Sequence, residues 1–329
     1  DANKLFWSLG AFGKFDFKRF GSDAERLKII KPKLASETAD VASQQVKLID
    51  STTEQLKVKK RKKKKTKKST SHNAIKEEIR HLKNKYHIHT NGTDIPDPLR
   101  NFEELGTEYN ISNIILRNVQ NEGYKEPTGI QRQAIPVLLQ DRDLMACAPT
   151  GSGKTAAFII PILHQLAEPR SDGFRALVLA PTRELAKQIL REFRKLSKGL
   201  GLKSCYIEKE STALKKSAQN FDILVTTPNR LIFMIQQDPP LVSVSNVEWL
   251  IVDESDKLFE AGKRGFRDQL GAIYKACSSS KIHRAMFSAT FAQDVEEWCK
   301  LNLDNVIQVH IGAKNSAINS RAKTSFYWG

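Results

Sequence analysis

The chain has 329 residues, 40% of them apolar and 27% charged, so it can bury a sizeable core, and its length allows two domains. Its formal net charge is +16, but residues 1–92 carry 23 Lys and Arg against 10 Asp and Glu, whereas residues 93–329 carry 30 against 27. That excludes a uniformly basic globule and assigns the surplus to an N-terminal extension, which points to an anionic polymer as partner. The four cysteines, Cys147, Cys205, Cys277 and Cys299, form no CxxC pair and no His/Cys cluster with metal-ligand spacing. Neither a disulfide framework nor a structural metal is expected, and a reducing compartment suits the pattern. No apolar run approaches the roughly eighteen residues that cross a bilayer, and the opening "DANKLFWSLGAFGKFDFKRF" lacks the uninterrupted apolar segment of a signal peptide. A soluble intracellular protein with no membrane partner is the expectation.

Residues 1–30 mix six aromatics (Phe6, Trp7, Phe12, Phe15, Phe17, Phe20) with Lys and Arg. They read either as a docking segment for a partner or as a stretch that packs on the chain's own folded domain. Residues 57–68, "KVKKRKKKKTKK", hold ten basic residues in twelve. Such a block self-repels and stays disordered until an anionic surface or an import receptor neutralises it. A nuclear or nucleolar address, an RNA-binding tail and a solvated linker are all compatible with it. After "HNAIKEEIRHLKNKYHIH", which has helical spacing, the prolines of "TDIPDPL" break the pattern, and the folded domain is expected to start near residue 93.

From Asp143 onward, apolar runs alternate with helical patterns. "DLMACAP", "RALVLAP", "KSCYI", "FDILVTTP", "VEWLIVD", "HRAMFSAT" and "NVIQVHI" read as strands, with crossover helices between them. That rhythm predicts an α/β fold, a parallel sheet with helices on both faces, preceded by the largely disordered basic extension. Directly after the first of those strands stands "APTGSGKT", residues 148–155. Gly151 and Gly153 let the backbone curl so that its amides point inward, and the following helix offers its positive end to the same spot. Ala148, Thr150 and Ser152 belong to that loop. Lys154 would reach the β and γ phosphates of ATP, and the Thr155 hydroxyl would bind Mg2+.

The stretch "VEWLIVDESDKLFE" ends a buried strand on three acids, Asp253, Glu254 and Asp256. They could merely cap the next helix. With a triphosphate and magnesium at the strand ends, Asp253 becomes the natural metal partner and Glu254 the group that orients and deprotonates the attacking water. Asp256 either holds the "SAT" of residues 288–290 or starts a helix.

"APTGSGKT", "PTRELA" (181–186), "TPNRL" (227–231), "DESD" (253–256) and "SAT" resemble, in the same order, the motifs of the first RecA-like domain of DEAD-box RNA helicases. "GYKEPTGIQ" (123–131) resembles the family's Q motif. The resemblance implies that Gln131, with Thr128, reads the adenine edge and that Phe102 stacks on the base. It implies that Pro181, Thr182, Arg183, Thr227, Pro228 and Arg230 contact the sugar and phosphate of RNA. It also implies that Asp256, Ser288 and Thr290 couple the phosphate site to the RNA face. Members with the DESD form that this chain most resembles work on pre-rRNA in small ribosomal subunit assembly, in the nucleolus. That implies ribosome-assembly proteins as partners of the N-terminal extension.

Two departures from the family pattern stand out. The usual Gly of "TPGRL" is Asn229, a residue that tolerates a left-handed backbone. Where a Gly-Gly pair usually touches RNA, this chain reads "CYIEKESTALKKS". After "VIQVHIGAKN" nothing resembles a second RecA-like domain, so residues 93–312 are expected to be the ATP-binding first lobe and residues 313–329 a divergent tail. Without the arginine fingers of a second lobe, the chain by itself is expected to hydrolyse ATP poorly. A non-catalytic RNA-binding or assembly module that retains ATP binding is the alternative.

Overall fold

The structure is a computed structural model that describes residues 74–207, 221–262, 265–290 and 293–312. All of them belong to one compact unit that begins at Lys64. The aromatic segment 1–30, the basic run 57–68, most of "CYIEKESTALKKS" and the tail 313–329 lie outside the described residues.

Helix α1 (74–85) ends where His87 takes φ +50°, and the chain turns into strand β1 (Ile88–Asn91). The helical pattern expected through "HIH" therefore stops short, and a strand occupies its end. β1 pairs antiparallel with β8 (Ile307–Ile311), Ile88 opposite Ile311, so the sheet begins at Ile88, ahead of the boundary expected near 93. Short helices α2 (Glu103–Thr107) and α3 (Asn113–Asn121) follow, then α4 (Gly129–Leu139).

The remaining elements alternate as the sequence predicts: β2 (Leu144–Cys147), α5 (Lys154–Leu166), β3 (Ala176–Leu179), α6 (Arg183–Leu196), β4 (Ser204–Cys205), β5 (Ile223–Thr226) and α7 (Pro228–Ile235). β6 (Trp249–Val252), α8 (Ser255–Gly262), α9 (Gly265–Ala276), β7 (His283–Ser288), α10 (Gln293–Asn302) and β8 complete the unit. All seven expected strands form. The sheet order is β1-β8-β2-β7-β6-β3-β5-β4, parallel throughout except at β1.

β2, β3, β5 and β6 are buried at every position because both faces of the sheet are covered. Alternation sorts their side chains: Ala176 and Val178 enter one apolar cluster, Leu177 and Leu179 the other. At the amino ends of the strands sit buried charges. Arg175 Nη2 lies 2.8 Å from Asp222 Oδ1, with the two side chains 1% and 0% exposed, and Asp222 Oδ2 accepts from Lys203 N. Asp143 accepts from the backbone N–H groups of Arg284 and Asp304, yet burial still pushes its carboxyl above the usual range.

The carboxyl ends carry the motifs. Read across β2, β7, β6, β3 and β5, the segments that leave the strands are the phosphate loop, "SAT", "DESD", "PTRELA" and "TPNRL". Motifs up to about 140 residues apart in sequence thus stand side by side on one edge, where open parallel sheets hold ligands.

Candidate nucleotide and nucleic-acid site

The loop after β2 curls through two left-handed glycines, Gly151 at φ +79° and Gly153 at φ +88°. A Cβ at Gly153 would fall 2.5 Å from Gln131 Nε2, so a side chain there would drive the two segments apart. At Gly151 a Cβ would meet nothing within 4 Å, so the space beside that residue is open. Lys154, in the first turn of α5, is 7% exposed and donates from Nζ to the carbonyls of Ala148 (2.7 Å) and Pro149 (3.2 Å). Its charge is held against its own loop. Ser152 Oγ is buried without a hydrogen-bond partner, Thr150 is exposed, and Thr155 is half-buried beside Lys154.

Gln131 is fully buried and ties the Q-motif helix to this loop. Its Oε1 accepts from the backbone N–H of Thr128 at 3.0 Å, and its Nε2 donates to the carbonyl of Gly153 at 3.1 Å. The amide is engaged within the chain, and each of its ends keeps capacity for one more partner: a second hydrogen on Nε2 and a second lone pair on Oε1. Phe102 is 7% exposed and packs in the main apolar cluster, edge-on to Tyr124 at 6.4 Å, so little of its ring is left for a base. The residue expected to stack on a base is packed here in the apolar cluster, its ring against Tyr124.

Beside the loop, Asp253 is 3% exposed. Its Oδ1 accepts from Glu254 N at 2.9 Å, and no further hydrogen-bond donor reaches the carboxyl among the described residues. Burial pushes its pKa up to about 6, opposed by that hydrogen bond and by the charge of Lys154. Glu254 adopts φ +48°, a left-handed conformation that costs a non-glycine residue on the order of 1–3 kcal/mol and is kept only where the surroundings enforce it. Its side chain pairs with Lys257 Nζ, three residues on along α8.

Asp256 does both things foreseen for it. It lies in the first turn of α8, and its Oδ2 accepts from Ala289 N (3.2 Å), Thr290 N (3.1 Å) and Thr290 Oγ1 (3.0 Å). Ser288 Oγ donates to the Thr290 carbonyl at 2.7 Å, and Ala148 N donates to the Ser288 carbonyl. A continuous hydrogen-bonded chain therefore runs from the phosphate loop through "SAT" to "DESD".

Further along the same edge, Pro181, Thr182, Arg183, Thr227, Pro228 and Arg230 line one groove of about 750 Å³. Thr182 caps α6, accepting from Leu185 N at 3.2 Å, and Thr227 precedes Pro228 at the start of α7. β3 and β5 are hydrogen-bonded neighbours, so both helices present their positive N-terminal ends to the groove. The sequence reading missed four other lining residues, Phe233, Leu258, Phe266 and Gln269. Phe233 was within reach of it, since it lies three residues after Arg230 on one helix face and takes the guanidinium over its ring at 5.4 Å. The rest come from α8 and α9, whose approach leaves no local signal. Asn229 also lines the groove, but it sits in the first turn of α7 with ordinary helical backbone rather than the left-handed one its sequence context suggested.

Among the described residues, no three His, Cys, Asp or Glu side chains cluster as a metal site, and no helix is long and apolar enough to cross a membrane. All four cysteines are buried free thiols.

A two-faced parallel sheet with a glycine loop, an acid pair and a groove on one edge defines a RecA-like nucleotide-binding domain. Residues 128–298 match the family model of DEAD/DEAH box helicases, and the chain belongs to that family. It is 46% identical over 387 aligned residues to the rat protein "Probable ATP-dependent RNA helicase DDX52", covering 97% of this chain and 64% of that one; the mouse protein of the same name gives the same figures over 385 residues. The chain therefore spans just under two thirds of the length of these relatives. The Arabidopsis thaliana "DEAD-box ATP-dependent RNA helicase 57" is 46% identical over 236 residues, 70% of this chain and 42% of its own. Among solved structures, the Prp28 helicase of Chaetomium thermophilum bound to ADP superposes with a TM-score of 0.62 at 37% identity, over 72% of this chain and 56% of that one. The yeast splicing factor Prp28 gives 0.65 at 35%, with the same coverage.

Proposed function

We propose that the protein is an ATP-dependent RNA helicase, in which RNA-dependent ATP hydrolysis drives local unwinding, and that residues 93–312 form its ATP-binding lobe. The observation that carries this reading is the arrangement of one sheet edge. A phosphate loop, a buried acid and a groove with two helix N-termini stand in a row, the first two joined by the hydrogen bonds of Asp256 to "SAT". Those bonds tie the phosphate loop to "DESD", and the helix that follows "DESD" contributes Leu258 to the groove, which supports a coupling of the two sites.

The loop fits a nucleoside triphosphate with Mg2+: there is open space at Gly151, Ser152 Oγ is buried without a partner, and Asp253 is a buried carboxylate with one donor. Bound there, the ion would neutralise charge on the phosphates, with Thr155 and Asp253 holding it. Lys154 exchanges its two loop carbonyls for phosphate oxygens, a stronger charge-assisted pairing. Glu254 leaves Lys257 to orient the attacking water and accept its proton. Arg183 and Arg230 pair with RNA phosphates, and the threonines and helix N-termini hold the backbone without reading sequence. For nucleotide and RNA affinity to depend on each other, "SAT" must shift with the loop, and Asp256 is the group that carries the shift.

The preferred RNA is pre-rRNA, with ribosome-assembly proteins bound through residues 1–92 and a nucleolar location. The basic run 57–68 supports this, and replacing its ten Lys and Arg by Gln should abolish nucleolar accumulation and flatten the salt dependence of RNA binding. The central test is Lys154→Ala. It should weaken ATP and ADP binding by calorimetry at least tenfold, because neither a methyl nor water replaces a charge clamp on phosphate. Unchanged affinity would remove the nucleotide site from this loop.

A further inference from the structure

The family's glycine in the "TPNRL" stretch is replaced here by Asn229, and the backbone gives no reason for either residue. Position 229 is the second residue of α7 and has ordinary helical φ, so glycine's freedom is not needed and asparagine's tolerance of the left-handed region is not used. The side chain supplies the reason. Asn229 Oδ1 accepts from Gln269 Nε2 at 2.6 Å, and the bond spans the groove from α7 to α9, forty residues apart. Both residues line the groove beside Thr227 and Arg230.

An amide pair joined by one hydrogen bond keeps unused capacity. Asn229 Nδ2 has two hydrogens and Gln269 Oε1 two lone pairs, and neither atom has another partner among the described residues. The same complement, one donor group beside one acceptor, remains if both amides are turned over. A ribose 2′-hydroxyl is the group on a nucleic-acid backbone that donates and accepts at once, and it is what DNA lacks. Phosphate can use only the donor.

We infer that the Asn229–Gln269 pair reads the ribose 2′-hydroxyl and gives the groove part of its preference for RNA over DNA. The inference rests on the proposed RNA-binding role of the groove and names residues that sort its substrate. The pair is solvent-accessible, so the water it binds in place of a missing hydroxyl limits the discrimination to about fivefold, the size of one net hydrogen bond.

The test uses the 329-residue chain with a single-stranded RNA ten-mer and the DNA of the same sequence, measured by fluorescence anisotropy at fixed salt. Asn229→Gly and Gln269→Ala should each weaken RNA about fivefold and leave DNA unchanged, and the double variant should lose no more than either single one. Both positions are on the surface, and thermal melts that coincide with the parent's confirm folding. Equal losses on RNA and DNA, or no loss on either, would overturn the role of the pair while leaving the groove an RNA site. A parent chain that binds neither strand would overturn the groove reading and the pair with it. Arg183→Ala should weaken RNA and DNA alike, which shows that the assay separates phosphate contact from hydroxyl contact.

Discussion

The two edges of the central sheet use buried charge differently. At the amino edge, Arg175 and Asp222 face each other at 2.8 Å and Asp222 takes further backbone donors, so the charges are partnered inside the chain. At the carboxyl edge, Asp253 is as deeply buried but has one donor, Lys154 rests on carbonyls of its own loop, and Glu254 is held in a left-handed backbone. Polar groups closed on each other hold strands in register. Groups left short of partners are poised to take a ligand, and a strained backbone or a single donor is the sign; a raised pKa alone is not, since burial also raises that of Asp143 at the amino edge.

The sharpest way to break this contrast is at the amino edge. Arg175→Met would leave the buried Asp222 carboxyl without its guanidinium partner, and stability should fall by about 3–5 kcal/mol. Urea denaturation measures this, and a loss below about 1 kcal/mol would deny the pair its structural role. The next largest effect is catalytic. In a protein that also carries a second RecA-like lobe, Glu254→Gln keeps the shape and the backbone, so ATP affinity should hold in calorimetry while RNA-stimulated turnover drops about a hundredfold, as expected for loss of a general base. Equal losses of binding and turnover would instead make Glu254 a binding residue.

A smaller effect at the carboxyl edge is read by pH. The pKa of Asp253, raised to about 6, means that the folded state keeps a proton which the unfolded chain releases near pH 4. Its favourable contribution is therefore complete below about pH 4 and is lost as pH rises to about 6. Asp253→Asn should remove that loss and make the ligand-free protein more stable at neutral pH. Since the ion needs the carboxylate, the gain in ADP affinity on adding Mg2+ should shrink about tenfold between pH 7 and pH 5 in the parent protein. A gain that does not change with pH would place the ion elsewhere.

Much of this was legible because the signals are local. Each of β2 to β8 is a short apolar run between turn residues, and the phosphate loop is contiguous from Ala148 to Thr155, so residue types at fixed spacing identify them. Pro181, Thr182, Arg183, Thr227, Pro228 and Arg230 were identifiable as a set by resemblance, but their convergence follows from β3 and β5 being neighbours. β1 escaped because its four residues continue a helical pattern, and it becomes a strand only when β8, more than 200 residues later, offers an edge. Phe102 is legible as an aromatic by resemblance, but its burial against Tyr124 follows only from the packing.

The sequence by itself determined the βα rhythm, the phosphate loop and the acids beside it, since periodicity and short-range chemistry are written in adjacent residues. Only the tertiary structure decided the strand order that aligns five motifs on one edge and the bond from Asn229 to Gln269. It alone also decided how many donors each buried carboxylate receives. Those depend on which distant segments meet, and burial, hydrogen bonding and pKa are properties of the meeting rather than of either segment.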